Sequence, residues 1–238
     1  MKTGAEQLTT QVVEAMTTNE TFFFRDKMPF DHLRDILPSL IASRANRRSL
    51  RIWSAASSTG QEPYSIAMCL REYGAALSGW RIEIVATDIS QDVLEKARAG
   101  LYSQFEVQRG LPIQLLLKYF TQLGEFWQLS ADIRGMVQHR QLNLLQDFSH
   151  LGKFDVIFCR NVLIYFDQDT KVSVFERLAK VLEPDGVLVL GAAESVVGIT
   201  DAFRPSQERR GLYQLNPTRG VRPAGGAMLP GLKVVAAR

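Results

Sequence analysis

A turn between an apolar run and a helix carries the strongest chemical signal in the chain. Residues 51–68, RIWSAASSTGQEPYSIAM, pass from an apolar run into a small, glycine-containing turn at 57–60, and Glu62 and Pro63 then open a helix. Proline is well tolerated there, because the N–H groups of a first helical turn have no intrahelical acceptor. In open α/β sheets, ligands bind beyond the carboxyl ends of the parallel strands, where such a turn lets the backbone approach a cofactor. The segment therefore predicts a ligand-binding junction.

A carboxylate follows at the end of the next apolar run. In EIVATDIS, residues 83–90, the run ends on Asp88, and Ser90 is suited to cap the helix after it. An acidic residue about 20 or more positions beyond the first turn commonly hydrogen-bonds ribose hydroxyls in Rossmann-like folds. Turn and carboxylate together indicate an adenosine-containing cofactor. Taken alone, they fit an ordinary strand–turn–helix equally well, because aspartate also serves in turns and helix caps.

Missing motifs narrow the choice of cofactor. The turn has only Gly60, so it lacks the G-x-G-x-x-G pattern that makes room for a pyrophosphate, and NAD is disfavoured. No G-x-x-x-x-G-K-[ST] loop occurs, which removes support for ATP hydrolysis or a kinase reaction. S-adenosylmethionine (SAM), an adenosine cofactor without a pyrophosphate, is the candidate that remains.

Composition places the chain among globular proteins with one sizeable core. Of its 238 residues, 46% are hydrophobic, and the helix–strand alternation runs through most of the length. The net charge of +3 is a mild basic excess, which suits an acidic protein surface as a partner and is too weak to indicate nucleic acid. The densest basic cluster comprises Arg44, Arg47, Arg48 and Arg51. We interpret it first as a solvated loop and second as a contact for an acidic partner.

The cysteines and histidines give no sign of a metal site. Cys69 and Cys159 both lie in apolar segments, as expected of reduced core residues in a cytosolic protein. His32, His139 and His150 have no ligand spacing with each other or with the cysteines. No apolar run approaches the roughly 20 residues that span a bilayer, and no secretory signal is apparent. We therefore expect a cytoplasmic protein without membrane insertion and without a bound metal.

The order of elements predicts an α/β fold with a predominantly parallel sheet. Continuous apolar runs such as FDVIFC and GVLVLGAA are typical of strands that helices cover on both faces. Strands are expected at 50–56, 83–89, 137–143, 154–160, 186–193 and, as an antiparallel edge, 209–216. Helices are expected at 5–16, 29–43, 62–73, 90–99, 112–119 and 168–182. The segment 121–135 breaks this alternation and predicts a small excursion of short strands, whereas the proline- and glycine-rich residues 217–238 predict a disordered tail.

Five motifs in order resemble one known family. They are TTNETFFFRD, WSAASSTGQEPYSIA, ATDIS, NLL and FDVIFCRNVLIYFD. Together they resemble the chemotaxis receptor methyltransferases, the CheR family, over roughly residues 10–215, and TNETFFFR and FCRNVLIYF are the most specific of them. The resemblance implies a Rossmann-like class I SAM-dependent methyltransferase. Members of this family methylate glutamate side chains on the cytoplasmic helices of chemoreceptors, which forms glutamate methyl esters.

The resemblance also implies a set of site residues. Those that would contact the cofactor are Asn19, Thr21, Arg25, Glu62, Asp88, Asn143, Leu144, Arg160 and Asn161. Tyr165 matches the active-site tyrosine near the transferred methyl group. Arg25 would position either the incoming carboxylate or the carboxylate of the methionine part. The aromatic run 22–24 would hold the linker over the site by packing.

Some of these residues also have an ordinary interpretation. Asn19 and Thr21 alone would be unremarkable polar residues at a helix end. Tyr165 alone would more often be a core aromatic with a hydrogen-bonded hydroxyl. Arg160 is different, because an arginine that closes a buried apolar strand needs a charged or carbonyl partner.

The same resemblance divides the chain and shows two departures from the family. Residues 1–28 would be the remnant of an N-terminal helical domain with its linker, 29–216 the SAM-binding methyltransferase domain with 121–135 as a small β-subdomain, and 217–238 the tail. Relatives carry a full N-terminal helical domain that helps to dock the receptor, so the resemblance does not decide how this chain would recognise its substrate. The β-subdomain is short, so we do not expect it to tether a receptor's C-terminal peptide.

The leading hypothesis is an enzyme that acts as a monomer on the cytoplasmic domain of a chemoreceptor. One alternative is a non-catalytic SAM-binding signalling adaptor, which the missing N-terminal portion motivates. Another is methylation of a small molecule or a nucleic acid, because a fold alone does not choose a substrate. The modest charge argues against nucleic acid, for which a basic groove is expected.

Overall fold

The computed structural model describes residues 18–217 as an α/β fold. Its helices are α1 (Met28–Ser43), α2 (Gln61–Glu72), α3 (Gln91–Ala99), α4 (Gln104–Gln108), α5 (Ile113–Tyr119), α6 (Ala131–Arg134) and α7 (Gln168–Val181). Its strands are β1 (Ser49–Ala55), β2 (Arg81–Asp88), β3 (Leu101–Ser103), β4 (Phe120–Leu123), β5 (Phe126–Leu129), β6 (Val137–Gln141), β7 (Phe154–Cys159), β8 (Leu182–Leu190), β9 (Phe203–Pro205) and β10 (Leu212–Leu215). The predicted helix at 5–16 and, but for its first residue, the predicted tail at 217–238 lie outside the described residues.

A seven-stranded sheet forms the centre, in the order β6-β2-β1-β7-β8-β10-β9. The pairs β6–β2, β2–β1, β1–β7 and β7–β8 are parallel, and β10 runs antiparallel to both of its neighbours. The predicted fold class, with a mostly parallel sheet and an antiparallel edge, is confirmed. Since β1 pairs with β2 on one side and with β7 on the other, the strand order reverses at β1, and a crevice opens beyond its carboxyl end.

Helices cover the sheet on both faces, which explains the continuous apolar runs of its strands. In β1 and β7, Ile52 and Val156 pack into one cluster with α1 and α2. Their neighbours Trp53 and Ile157 pack into a second cluster with α7. All four side chains are completely buried. Consecutive residues of a strand point to opposite faces, so a strand buried on both faces has to be apolar at every position.

A second sheet of three strands, in the order β3-β5-β4, corrects the expected excursion at 121–135. It takes its edge strand β3 from residues before that segment, and residues 131–134 form the short helix α6 instead of a strand. The hairpin between β4 and β5 turns at Gly124, whose φ of 62° suits glycine. A strand of three residues is too short to show an alternating pattern, so β3 could not be recognised in the sequence.

The central strands differ from the prediction mainly at β8 and β9. The turn signal at 184–186 lies inside β8, which starts at Leu182 rather than at residue 186. The pairing with β7 is irregular there, because Phe154 pairs with Leu182 and Val156 pairs with Val187. The turn residues therefore form a bulge within the strand. The three-residue strand β9 was not predicted, for the same reason as β3.

Arg44, Arg47 and Arg51 of the basic cluster form ion pairs within the chain. Arg44 is buried, and its guanidinium donates to Asp155 at 2.7 Å and to Asp185 at 2.5 Å. Arg47 also donates to Asp155, and Arg51 donates to Glu83. The hydrogen bond from Arg44 holds the pKa of Asp185 below its ordinary value. Neither earlier interpretation, a solvated loop or a partner contact, holds for Arg44, which joins α1 to the amino ends of the central strands.

Two further sequence expectations concern the interior and the bilayer. Cys69 and Cys159 are both buried and free, so the expectation that they are core residues is confirmed. None of the helices within residues 18–217 is long and apolar enough to cross a membrane.

His139 on β6 should make the stability depend on pH. Burial, and secondarily the charge of Arg98, lowers the pKa of His139 to about 4 from 6.5. Its ring lies 3.1 Å from the hydroxyl of the buried Tyr64. Because the folded-state pKa is below the unfolded one, the unfolded chain binds more protons between pH 6.5 and pH 4, so stability is complete above that window and is lost as the pH falls through it.

We expect His139→Gln to lose less stability than the natural chain when the pH is lowered from 7 to 5. The natural chain should lose about 2 kcal/mol more of unfolding free energy over this interval, in proportion to the pKa difference. Urea unfolding at both pH values measures this, with the exposed His150→Gln as the matched control. An identical pH dependence in the His139 variant and the natural chain would contradict the assignment.

Candidate active site

A cavity of about 340 Å³ lies at the carboxyl ends of β1, β2 and β7. It brings together all ten residues that the sequence singled out, namely Asn19, Thr21, Arg25, Glu62, Asp88, Asn143, Leu144, Arg160, Asn161 and Tyr165. Further lining residues include Ala56, Ser58, Ile89, Leu142 and Phe166. The residues come from five separate parts of the chain, and the crevice at the reversal of strand order is what places them together. Their individual roles stay predictions.

The first turn, residues 57–60, and the residue before it are held in a strained conformation. Ala56 and Ser58 have φ values of 60° and 49°, in the left-handed region that residues with a Cβ rarely adopt. The N–H of Ser57 donates to the carbonyl of Thr87 at 2.8 Å, which ties the turn to β2. Gly60, with a φ of 96°, leaves no room for a Cβ, since one would come within 2.9 Å of Ala97 and of the Tyr64 ring. The single glycine of the turn thus serves close packing and backbone conformation.

Asp88 joins the first turn to the start of α3. Its Oδ2 accepts the N–H of Ser58 at 2.8 Å, and its Oδ1 accepts the N–H of Ser90 at 3.0 Å. The side chain of Ser90 in turn accepts the N–H of Val93, so Ser90 is the helix cap that the sequence predicted. A carboxylate oxygen can accept more than one hydrogen bond. Asp88 can therefore hold the turn and also accept the hydroxyls of a ribose.

Arg160, directly after β7, is the most heavily engaged side chain of the site. It is 4% exposed, and its Nη1 donates to Glu62 Oε2 at 2.8 Å. Its Nη2 donates to Asp26 at 2.7 Å and to the carbonyl of Arg25 at 3.0 Å. The other oxygen of Glu62 accepts the hydroxyl of Ser54 at 2.8 Å. The structure thus provides both kinds of partner, carboxylate and carbonyl, that the sequence required for this arginine.

One donor of Arg160 is not satisfied by the chain. Its Nε is buried and has no hydrogen-bond partner among the described residues. A buried N–H without an acceptor is costly, by about 1–3 kcal/mol. The residue lines the cavity, and the methionine part of SAM ends in a carboxylate, which is a strong acceptor for a guanidinium. On this observation, the residues of the cavity fit SAM.

The linker before α1 crosses the cavity and is fastened by aromatic side chains. Phe23 is completely buried against Tyr102, with ring centroids 4.9 Å apart, and Phe24 packs on Phe30 at 5.2 Å. The carbonyl of Asn19 accepts the hydroxyl of Ser58 at 2.9 Å, which joins the linker to the first turn. These contacts agree with the packing role expected for the aromatic run 22–24, and they hold Asn19, Thr21 and Arg25 at the cavity.

The segment after β6 forms an apolar wall beside Asp88, whose carbonyl accepts the N–H of Leu142 at 2.9 Å. Leu144 is 7% exposed, and Leu142 and Ile89 line the cavity beside it. Asn143 Oδ1 accepts the N–H of Leu145 at 2.9 Å, so this side chain closes a local turn. An apolar wall next to a ribose acceptor is the arrangement that a flat, largely apolar adenine ring needs.

Tyr165 lies at the mouth of the cavity, at the end of a 3₁₀ turn that spans Leu163–Tyr165. Its side chain is 61% exposed, and its hydroxyl makes no hydrogen bond to another described residue. The ordinary interpretation of a core aromatic with a bonded hydroxyl is therefore wrong. The ring is available to groups that enter the cavity.

Sequence reasoning missed Glu194, which braces the segment that carries Asn161 and Tyr165. Its buried carboxylate accepts the backbone N–H groups of Asn161, Val162 and Leu163 at 2.8–3.0 Å. The available signal was an acidic residue just after the apolar run GVLVLGAA, which is the pattern that identified Asp88. Among residues 18–217, no group of three or more His, Cys, Asp or Glu side chains could hold a metal ion.

The fold and site define a SAM-dependent methyltransferase of the Rossmann-like class, and comparison with known proteins agrees. Residues 19–212 match the family described as "CheR methyltransferase, SAM binding domain". The chain is 46% identical over 195 residues to Chemotaxis protein methyltransferase 1 of Vibrio cholerae, which covers 80% of this chain and 70% of that one. It is 45% identical over 203 residues to Chemotaxis protein methyltransferase 1 of Pseudomonas aeruginosa, covering 82% and 73%. The chain belongs to the CheR methyltransferase family, and its cofactor is SAM.

Asp88→Ala should weaken SAM binding by about 1.5–3 kcal/mol, the scale of a charge-assisted hydrogen bond. It should also lower the melting temperature, because the N–H groups of Ser58 and Ser90 lose their acceptor. Titration calorimetry and thermal unfolding measure the two effects separately. Asp92→Ala, on the exposed side of α3, is the control: it should leave SAM binding unchanged and lower the melting temperature less, because it removes only a surface carboxylate from the first helical turn. Unchanged affinity in a folded Asp88→Ala protein would remove Asp88 from the ribose site.

Proposed function

We propose that this protein transfers the methyl group of SAM to glutamate side chains in the cytoplasmic domain of chemoreceptors. The products are glutamate 5-O-methyl esters and S-adenosylhomocysteine, and the role is sensory adaptation. Membership of the CheR methyltransferase family and the names of the relatives, chemotaxis protein methyltransferases, support the substrate class. A cytoplasmic location goes with that substrate, and the monomeric state stays a prediction.

One observation about the cavity carries the choice of a carboxylate acceptor. Among the described residues that line it, none is a histidine, lysine or cysteine. Its two buried carboxylates are both engaged, Glu62 by Arg160 and Ser54, and Asp88 by two backbone N–H groups. The exposed carboxylate of Glu20 also lines the cavity, and its hydrogen bond from Arg109 at 2.6 Å holds its pKa below the ordinary value, which makes it a poor base. The site therefore offers no evident general base. A substrate glutamate needs none, because with an ordinary pKa near 4.3 it is ionised at neutral pH.

Methyl transfer then depends on alignment. Bound SAM supplies a methyl group on a sulfonium together with its own leaving group. The chain's residues have to hold the acceptor oxygen in line with that methyl at a contact distance of about 3 Å, which can lower the barrier by about 7–11 kcal/mol. Arg160, Glu62 and Asp26 fix the floor and linker of the cavity by direct hydrogen bonds.

Arg25 and Tyr165 are the side chains suited to meet the incoming glutamate. Arg25 lines the cavity, donates to the carbonyl of Glu20 at 2.8 Å and lies over the ring of Phe22 at 5.7 Å. Its positive charge can attract the acceptor carboxylate or hold the carboxylate of the methionine part. Tyr165 is exposed at the mouth, where its hydroxyl can donate to the second oxygen of the glutamate and its ring can exclude water.

The non-catalytic adaptor is not favoured by any feature of the cavity. An adaptor needs only affinity for SAM, whereas here an exposed tyrosine and an arginine stand where an acceptor would enter. Mixing the protein with labelled SAM and receptor membranes separates the two functions. SAM binding without transfer to any of several receptors would favour the adaptor.

Tyr165→Phe should lower kcat more than it weakens SAM binding, because the hydroxyl is proposed to act on the reacting groups and not on the bound cofactor. We expect roughly a tenfold loss of kcat, the size of one lost hydrogen bond in the transition state. The dissociation constant for SAM should change little. Tyr73→Phe, partly buried against the core away from the cavity, serves as the control. Equal losses of kcat and affinity would make Tyr165 a structural residue.

The chemical nature of the product bond tests the substrate class directly. Attack by a glutamate carboxylate gives a methyl ester, whereas lysine, arginine or a nucleic-acid base would give an N-methyl group. Only the ester is labile to base. We expect radiolabel transferred to a chemoreceptor cytoplasmic domain to be released as volatile methanol after brief alkali treatment. Label that survives alkali would refute the glutamate assignment.

A further inference from the structure

The carboxylate of Glu194, four residues beyond β8, accepts four backbone N–H groups. Its Oε1 accepts from Val162 at 3.0 Å and Leu163 at 2.8 Å. Its Oε2 accepts from Asn161 at 2.9 Å and Gly191 at 2.8 Å. Successive backbone N–H groups that point into one concavity form an anion site, and here a side chain of the same chain fills it. The residue is 8% exposed, so these bonds are sheltered from water.

The backbone that Glu194 holds is the one that carries the proposed site. Asn161 has a φ of 57°, a left-handed conformation that asparagine tolerates better than most residues with a Cβ and that the hydrogen bond from its N–H to Glu194 holds in place. The 3₁₀ turn that ends on Tyr165 starts at Leu163, whose N–H is one of those that Glu194 accepts. The segment between Arg160 and Asp167, the cap of α7, is thus held at its start by the carboxylate of Glu194.

We propose that Glu194 is a positioning residue of the methyl transfer. It fixes the backbone at 161–163 so that Asn161 lies at the cofactor cavity and Tyr165 stands at its mouth. The effect on methyl transfer rests on the proposed function. The hydrogen bonds that hold residues 161–163 do not depend on it. Glu194 does not line the cofactor cavity and acts through the segment that it holds.

The lack of a side chain at Gly191 also supports the role of Glu194, because there is no room for a Cβ at this position. A Cβ at this position would lie 2.8 Å from Glu194 Oε2 and 3.1 Å from the backbone N of Asn161. Residue 191 therefore has to be glycine for the carboxylate to reach the segment 161–163. Gly191→Ala is a second way to disturb the contact, and it leaves the charge of Glu194 in place.

The main experiment combines Glu194→Gln with Tyr165→Phe. The amide keeps the shape of the carboxylate but turns an NH₂ group toward backbone donors. We expect kcat to fall by about 10- to 100-fold, as for a small misplacement of reacting groups, while the dissociation constant for SAM changes less than kcat. In the Tyr165→Phe background, the same substitution should cost clearly less, because it acts through Tyr165. The exposed Glu208→Gln is the matched control.

A measurement without substrate tests the geometry itself. Amide hydrogen exchange at 161–163 should be faster by about tenfold or more in Glu194→Gln and in Gly191→Ala, because the amides lose a buried acceptor, whereas exchange at the first turn 57–60 should be unchanged. If Glu194→Gln does not fold, Gly191→Ala carries both measurements. Because hydrogen exchange needs no substrate, it tests the role of Glu194 separately from the proposed function. Failure of the proposed function would show instead as the absence of base-labile label with the natural chain.

Three results would overturn the assignment. The first is unchanged exchange at 161–163 in both variants. The second is unchanged kcat in a folded Glu194→Gln protein. The third is an equal loss of kcat with and without the Tyr165 hydroxyl, which would make Glu194 a residue of general structure.

Discussion

The buried guanidinium of Arg160 is the constraint on which the site depends. A charge with 4% exposure is tolerable only when it is paired and hydrogen-bonded. Arg160 meets this need with Glu62 at the start of α2 and with Asp26 and the Arg25 carbonyl in the linker. These partners belong to segments about 100 residues or more away along the chain, and the ion pair fixes them against the end of β7.

Carboxylates that accept backbone N–H groups complete the framework. Asp88 holds the first turn and the start of α3, and Glu194 holds the segment before Tyr165. Asp88 is the last residue of β2, and Glu194 lies four residues beyond β8. Such bonds are charge-assisted and leave little freedom to the backbone that donates them. They allow left-handed residues such as Ser58 and Asn161 to persist where the chain has to bend sharply toward the cavity.

A rigid cavity of this kind suits a reaction in which the protein moves no proton. The acceptor is already charged, the methyl donor has its leaving group, and what remains is orientation and exclusion of water. The described lining of the cavity agrees, since its buried charges are engaged with each other or with the backbone, and Tyr165 is exposed at its mouth. The linker contributes to the same end, because Phe23 and Phe24 bury it against the fold.

Local patterns in the amino-acid sequence were sufficient for the fold class and for the edge of the sheet where the site lies. Doubly buried strands have to be apolar at each position, so FDVIFC and GVLVLGAA identified central strands, and the small turn with Asp88 identified the cofactor edge. The position of Arg160 at the end of a buried strand predicted a charged or carbonyl partner, since burial of an unpaired charge is too costly. The resemblance in motif order then supplied the remaining positions, all of which line one cavity.

Features that depend on distant segments could be found only in the tertiary structure. Strands of three residues such as β3 and β9 have no periodicity of their own and exist because a longer strand pairs with them. Asp155 and Asp185 lie more than 100 residues from Arg44 along the chain, and residues 161–163 lie about 30 residues before Glu194, so these contacts form only once the sheet is assembled. The bulge inside β8 likewise depends on its pairing with β7. A sequence states which groups need partners, whereas the packing of strands and helices decides which groups those partners are.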